Sequence, residues 1–214
     1  MTIPDAHAFD GLRDRRPSAT EPSRPAARLW TIRRVHSVDA DCIEELTDVL
    51  IDCVEGGASV SFMLPLPRAR AQSFWHDIAA GVASGDRALL VAEDASGICG
   101  TVQLMLAQPD NQPHRADVAK MLVHRRARRQ GLGEALILSA ESLAGECGKT
   151  LLVLDTVTGG EAERLYARLG WERVGIIPDY ALFPNGGLVA TTLFYRRVGE
   201  ARVNAAIHPA AAAT

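Results

Sequence analysis

Apolar side chains follow two kinds of spacing along the middle of the chain. In four segments they recur every three or four residues, which indicates helices with one buried face. These segments begin near Asp39, Pro67, Gly131 and Glu161. Between them lie alternating or continuous apolar runs, which predict strands. The strands are expected at 29–35, 88–93, 98–106, 115–123, 150–155, 172–177 and 188–197.

The order of these elements predicts a mixed α/β fold. Two helices follow the first strand, three strands come next, and the remaining strands are separated by two helices. This order indicates one mixed, mostly antiparallel sheet with helices on both faces. Asp94 to Gly97 is typical of a hairpin turn, and Ser37 or Asp39 is expected to cap the first helix. The apolar run at 150–155 predicts a central parallel strand buried on both faces.

Composition limits the domain count. The 214 residues suit one domain, and 47% hydrophobic with 23% charged residues is typical of a globular protein. Residues 1–28 are rich in Arg, Pro and Ala without apolar periodicity, so we expect a disordered extension there. The folded domain is expected at 29–198, and a flexible tail at 199–214.

Charge and cysteine content exclude several classes of protein. A net charge of −3 argues against a dedicated nucleic-acid binder. No apolar run approaches the ~20 residues of a membrane span, and no secretory signal is evident, so a cytoplasmic protein is expected. The four cysteines form no metal or redox motif and are expected to be small buried side chains.

The segment 123–134 carries the clearest chemical signal. A strand ends at Val123, and a helix begins at Gly131, with a second glycine at Gly133. A helix start has free N–H groups and partial positive charge, so this turn is suited to a pyrophosphate. Four arginines of the turn add positive charge for further phosphates. They are Arg125, Arg126, Arg128 and Arg129. A Walker loop is excluded because no Lys follows Gly131.

Two motifs resemble the GNAT superfamily of acetyl-CoA-dependent N-acetyltransferases. The first, Q/R-x-x-G-x-G/A, is met by Arg128, Gly131 and Gly133. The second, A-x-x-L-Y-x-x-x-G-F/W, is met at Ala162, Leu165, Tyr166, Gly170 and Trp171. The resemblance implies a GNAT-type acyl-CoA N-acyltransferase fold over 29–198 and acetyl-CoA as cosubstrate. A narrower likeness, over 56–63, 115–123, 154–156 and 178–195, is to acetyltransferases that confer tabtoxin resistance.

The resemblance also implies a set of cofactor contacts. Backbone groups at the end of the fourth strand would pair with the pantetheine arm, and the turn and helix start would hold the pyrophosphate. The expected residues are Met121, Leu122, Val123, Arg128, Arg129, Gln130, Gly131, Leu132, Gly133 and Glu134. Many members of the family place an Asn where this chain has Gly159, so that pantetheine contact is either lost or made by backbone.

Three residues are candidates for the chemistry. Strand alternation places Asp117 on one face with Met121, a few residues before the thioester position, which makes Asp117 the first candidate for the base. Asp155 ends an apolar strand and is the second candidate. In the tabtoxin-resistance likeness the two acids act as a pair on the amine. Tyr166 corresponds to the residue that the family uses to protonate the departing thiolate.

The acceptor is expected to be a small amino-acid-like amine, with a β-lactam toxin as one candidate. Phe62, Met63 and Tyr180 are the candidates for lining its pocket, from the segments 57–66 and 178–187. Another small amine remains open as acceptor, as does a catalytically inactive acyl-CoA-binding module. No metal, nucleic-acid or membrane partner is expected, and a homodimer is left open.

Overall fold

One seven-stranded sheet organises the part of the chain that the computed structural model describes, residues 29–199. The strands are β1 (Thr31–Val35), β2 (Arg87–Asp94), β3 (Gly97–Met105), β4 (Arg115–Val123), β5 (Leu151–Val157), β6 (Glu172–Leu182) and β7 (Leu188–Arg197). Their spatial order is β1-β2-β3-β4-β5-β7-β6, and only β4 and β5 pair in parallel. The mixed, mostly antiparallel sheet is therefore confirmed. The predicted extension at 1–28 and the tail from residue 200 lie outside the described residues.

Four helices cover the sheet. They are α1 (Ala40–Glu55), α2 (Arg68–Ser84), α3 (Leu132–Glu146) and α4 (Glu161–Arg168). Helices α1 and α2 form one apolar cluster with one face of the sheet, while α3 and α4 form another with the opposite face. The predicted placement of helices on both faces is confirmed. Within residues 29–199, no helix combines the length and apolar composition that a membrane span requires.

Local sequence signals explain where α1 and α2 begin and end. Asp39 caps α1, because its carboxylate accepts a hydrogen bond of 2.9 Å from the backbone N–H of Cys42. Gly85 ends α2 in the left-handed conformation, with φ of 82°, which favours glycine. The apolar side chains that recur along α1 and α3 are buried, among them Leu46 and Leu50 of α1 and Leu136 and Ala140 of α3. Of the two caps that the sequence left open, the structure uses Asp39.

Strand β5 differs from its prediction. It pairs in parallel with β4 on one side but antiparallel with β7 on the other. Its burial alternates, with Leu152 and Leu154 buried and Leu151 and Val153 only partly so. The prediction of a strand buried on both faces is wrong. Both faces of β5 carry large branched side chains, but the helices fully bury only one face of the strand.

Strand β6 is longer than the sequence indicated. It continues to Leu182, so the first half of the loop expected at 178–187 is extended. An irregularity between Ile177 and Ala181 contains Asp179 in the left-handed conformation, and pairing with β7 resumes after it. Pro178 is tolerated because β6 lies at the edge of the sheet, where an N–H is not required on the open side.

Candidate active site

Strands β4 and β5 separate from one another towards their carboxyl ends. They pair only at Arg115–Asp117 against Leu151–Val153, and β5 then continues with β7 alone. A cavity of about 780 Å³ lies in this gap, lined by residues 118–123 of β4 and 155–157 of β5. The exposed edge of β4 offers backbone donors and acceptors to an extended ligand, as a sheet edge does for an added strand.

A bulge in β4 changes the face of the sheet on which the side chains after it lie. The pairing of β3 with β4 slips by one residue at this point, and Lys120 adopts the left-handed conformation with φ of 50°. Val118 and Met121 consequently both pack on the α3 side of the sheet, while Leu122 packs on the α1 and α2 side. The expectation that Asp117 shares a face with Met121 is therefore wrong, because the extra residue breaks the strand alternation.

The start of α3 opens onto the same cavity. Gly131 caps the helix in the left-handed conformation, with φ of 78°, and the first-turn residues Leu132 and Gly133 line the cavity. The N–H groups of a first turn have no acceptor within the helix. A Cβ at Gly131 would meet no atom within 4 Å, whereas one at Gly133 would lie 3.3 Å from the side chain of Leu165. Gly133 thus permits the close packing of α3 against α4.

Two of the four arginines in the turn form ion pairs with acidic residues of other elements. Arg125 donates to Asp52 from both its backbone N–H and its Nε, each at 2.8 Å. Arg126 donates to Asp94 at 3.0 Å and to the carbonyl of Ile98 at 2.9 Å. Neither lines the cavity. The expectation that all four arginines supply charge for phosphates is therefore too broad.

The other two arginines border the cavity. Arg128 lines it while its Nε donates to the carbonyl of Val123 at 3.1 Å, which fixes the guanidinium beside the end of β4. Arg129 is almost fully exposed at the rim, with one ion pair of 3.6 Å to Glu161. Gln130 lies outside the cavity and donates to the carbonyl of Arg126. Apart from Gln130, all the predicted cofactor residues line the cavity.

Tyr166 forms part of the cavity wall from α4. Its ring is 5% exposed and packs against Trp171 and Phe194, with centroids 5.7 and 6.1 Å away. Burial, with a smaller contribution from the charge of Asp155, raises the pKa of the Tyr166 hydroxyl well above its ordinary value. Among the described residues its hydroxyl has no hydrogen-bond partner. This phenol can therefore donate a proton into the cavity.

Asp155 and Asp117 lie in different surroundings. Asp155 lines the cavity from β5 and accepts a hydrogen bond of 3.0 Å from the hydroxyl of Thr191. Asp117 does not line the cavity; it forms an ion pair with Arg115 and accepts from Gln108 at 3.0 Å. The structure brings Asp155 together with Tyr166 and leaves Asp117 outside.

The three residues predicted to line an acceptor pocket do not border the cavity. Phe62 is buried, with its ring 5.2 Å from that of Phe74 in an edge-on contact. Met63 and Tyr180 are exposed to solvent. The segment 58–61, immediately before Phe62, lines the cavity instead.

Sequence reasoning missed several cavity residues. Lys120 enters from the β4 bulge, Arg164 and Arg168 from α4, and Thr191 from β7. For Lys120 a signal was present: it is the one charged residue in the second half of β4, at the position where alternation gives way to three consecutive apolar residues. The remaining three required knowledge of how β7 and α4 pack around the gap.

Comparison with known proteins agrees with this geometry. Residues 85–173 match the family model for the acetyltransferase (GNAT) domain. The protein yncA from Salmonella typhimurium, described as an acetyltransferase and solved with its cofactor acetyl-CoA, superposes with a TM-score of 0.66 at 18% identity. That match covers 82% of this chain and 97% of the other. The chain has the GNAT fold.

Two further solved structures show the same likeness. A ribosomal-protein-alanine N-acetyltransferase from Brucella melitensis has a TM-score of 0.66 at 18% identity, covering 78% of this chain and 99% of its own. A protein described as a phosphinothricin N-acetyltransferase has a TM-score of 0.65 at 18% identity, covering 80% and 99%. At such identities the likeness establishes the GNAT fold alone.

The Gly159 position departs from the usual GNAT pattern. Gly159 is left-handed, with φ of 79°, and precedes α4. Its N–H donates to the carboxylate of Glu163, and its carbonyl accepts from Arg164 at 2.7 Å. Both backbone groups of Gly159 are therefore engaged within the loop, and the N–H is not free to replace an Asn side chain as a donor.

Proposed function

We propose that this protein is an acetyl-CoA-dependent N-acetyltransferase that acts on a small amine. The observation that carries the proposal is the combination, in one cavity, of an unpaired β4 edge and an α3 start flanked by Arg128 and Arg129. An extended pantetheine arm suits the strand edge, and a pyrophosphate suits the helix start. The GNAT fold and the matched GNAT domain model support the same cofactor.

Residues on the two sides of the gap would then supply proton transfers. Asp155 takes a proton from the acceptor ammonium, so that the amine nitrogen can attack the acetyl carbonyl carbon. A new C–N bond forms, and the C–S bond breaks as Tyr166 donates its proton to the departing thiolate. The nitrogen then gives its second proton to the Tyr166 phenolate, which restores the phenol. The raised pKa of Tyr166 keeps this proton in place at neutral pH. A backbone N–H near Leu122 would stabilise the negative charge on the acetyl oxygen.

The acceptor class is part of the proposal. We favour a small amino-acid-like amine, and a β-lactam amino-acid toxin remains one candidate within that class. The cavity of about 780 Å³ has to hold both the acyl arm and the acceptor, so a compact molecule fits better than a folded protein partner.

A glycine pair tests the cofactor assignment. Gly131→Ala should weaken acetyl-CoA binding about tenfold, because the new methyl group would stand in the open space in front of the helix start. Gly148→Ala is the matched control: Gly148 is also left-handed with open space around it, but it follows the other end of α3. Each variant should lose ~1 kcal/mol of stability from backbone strain.

Isothermal titration calorimetry with acetyl-CoA, together with thermal unfolding, separates the two effects. Equal affinity in the Gly131→Ala and Gly148→Ala variants would remove the phosphate site from the α3 start. Thiol release on a panel of amines then distinguishes an enzyme from an inactive acyl-CoA-binding module, which would bind acetyl-CoA and release no thiol.

A further inference from the structure

Lys120 is a cation without a counter-ion. Its ammonium donates to the hydroxyl of Ser61 at 3.0 Å and lies 5.7 Å from the centre of the Phe74 ring. Both partners are neutral. No carboxylate of residues 29–199 lies within 4 Å of the ammonium. The side chain is half-buried, so this charge is separated from much of the solvent that would otherwise stabilise it.

Holding Lys120 in this state is costly. Burial lowers the pKa of its ammonium, the charge of Asp155 opposes this shift, and Arg87 adds to it. Lys120 and Ser61 are also both non-glycine residues in the left-handed conformation, with φ of 50° and 76°. Such conformations cost on the order of 1 kcal/mol or more each and cluster at binding sites. A bound anion would compensate for both costs.

The cavity carries opposite charges on opposite walls. Lys120 projects from β4 and Asp155 from β5, the two strands that separate to form the gap. Their charged groups interact but are more than 4 Å apart, so they do not neutralise each other. A ligand that spans them would carry a cationic group at one end and an anionic group at the other.

The phosphates of a nucleotide cofactor are poor candidates for the anion at Lys120. Phe74, which lies beside the ammonium, packs with the α1 and α2 cluster, whereas the start of α3 belongs to the cluster on the opposite face of the sheet. The site at Lys120 therefore lies on the opposite face of the sheet from the start of α3. The acceptor is the molecule left to supply the negative charge.

We propose that Lys120 and Asp155 select a zwitterionic acceptor, in which Asp155 receives the amine and Lys120 binds a carboxylate of the same molecule. The inference rests on the proposed N-acetyltransferase function and names its acceptor class as free amino acids. Lys120 is a specificity-determining residue in this account, and Ser61 orients its ammonium.

The test compares free amino acids with two neutralised analogues of each, the carboxamide and the decarboxylated amine. Thiol release at saturating acetyl-CoA gives KM and kcat for every compound. The wild-type protein should prefer the free amino acid. In Lys120→Met the KM for the amino acid should rise about tenfold or more, as expected for loss of a charge-assisted hydrogen bond, while that for the amine stays unchanged.

Two controls separate specificity from folding and from general charge effects. Arg70→Met removes a cation 5.9 Å from the Phe62 ring in the same aromatic group, but Arg70 does not line the cavity, so its kinetics should match wild type. Lys120→Arg keeps the charge and should retain most of the preference. Acetyl-CoA affinity by calorimetry should be the same in all variants.

The outcomes distinguish this inference from the function on which it rests. If wild type acetylates carboxamides or simple amines as well as free amino acids, or if Lys120→Met keeps the wild-type KM, the Lys120 site is refuted and the N-acetyltransferase function stands. If no amine of any kind releases thiol while acetyl-CoA binds, the proposed function is refuted and the acceptor class with it.

Discussion

Asp155 and Asp117 differ in what their carboxylates are free to do. Asp155 lines the cavity and accepts one hydrogen bond from the neutral hydroxyl of Thr191. Asp117 is held by the guanidinium of Arg115 and by the amide of Gln108, away from the cavity. A general base has to reach the proton that it removes, and Asp155 borders the cavity whereas Asp117 does not. Asp155 is therefore the stronger candidate for the base.

We predict that Asp155→Asn lowers kcat at least about a hundredfold, the scale of a positioned general base, with little change in acetyl-CoA affinity. Asp117→Asn is the matched control on the neighbouring strand and should keep most of the activity. Steady-state thiol release with any accepted amine measures both. Near-wild-type turnover in Asp155→Asn, with a large loss in Asp117→Asn, would reverse the assignment.

At the scale of single residues, motif spacing predicted residues of α3 and α4 that border the cavity, whereas the directions of individual side chains could not be predicted. Sequence spacing indicates Gly131, Gly133 and Tyr166 directly, because the chemistry requires those residue types at fixed offsets. Which of the arginines at 125–129 form ion pairs elsewhere in the fold could not be predicted from the sequence. It depends on Asp52 and Asp94, which are distant in sequence and become neighbours only through folding.

Among the elements, helix α1 is connected by Asp52 to the turn that contains Arg125. Its carboxylate accepts two hydrogen bonds from Arg125 and lies 3.5 Å from His124. Burial alone would raise the pKa of Asp52, but the hydrogen bonds from Arg125 and the charges of His124 and Arg125 outweigh it and lower the pKa. This contact connects α1 to the turn that precedes α3.

Asp52→Asn should reduce the free energy of unfolding by about 1.5–3 kcal/mol at pH 7, the range for hydrogen bonds to a charged group. Because the folded-state pKa is lowered, the contribution is present above the unfolded pKa near ~3.9 and is lost as pH falls through the folded value. The difference from wild type should therefore close below about pH 4. Denaturant unfolding from pH 3 to 7 measures it.

Asp48→Asn provides the comparison for this pH series. Asp48 lies on the same helix and pairs with Arg68, but both side chains are well exposed. An exposed pair contributes little, so this variant should stay within about 1 kcal/mol of wild type throughout. A pH-independent deficit in Asp52→Asn would show that packing, and not the charge of Asp52, stabilises the contact.

The element boundaries show where sequence patterns are sufficient. Strands β4 and β7 have their predicted bounds, because turn residues flank each of them closely. Strand β6 extended past Pro178 because an edge strand tolerates both the missing donor and an irregularity. The burial of β5 was overestimated since side-chain type alone does not reveal how far the covering helices reach.

For the whole molecule, the outer strand β6 leaves a large apolar surface exposed. Val174, Ile176, Ile177 and Tyr180 are between 40% and 64% exposed, and β6 ends the sheet with one open edge. An exposed apolar edge strand is a site of association between chains. A second copy offers the same apolar surface in return, which favours a second copy as the occupant.

We predict a homodimer formed through β6. Ile176→Lys would place like charges at the centre of the contact and should yield a monomer by light scattering coupled to size exclusion. Leu138→Lys is the control, because Leu138 is a similarly exposed apolar residue on α3, away from β6. A monomeric wild-type protein at micromolar concentration would contradict the prediction.

The overall architecture could be predicted from the sequence, because the periodicity of the helices and the order of the strands both indicate it. The periodic helices supply two apolar clusters, and the strand order places them on opposite faces of one sheet. The cavity itself could not be predicted from the sequence. It arises where β4 and β5 part, and that divergence depends on the β4 bulge and on the pairing of β5 with β7, neither of which has a local signature.

The single extra residue in β4 also determines which changes of length the chain can tolerate. Removing Lys120 would restore a regular strand in which Met121 follows Val118 by two residues on the α3 side and Leu122 stays on the α1 side. Both apolar layers would keep their packing, while the bulge and its cation would be lost from the cavity. A related sequence that lacks this one residue should therefore keep the fold and have a different pocket, whereas the loss of an apolar neighbour from β4 should mispack both layers.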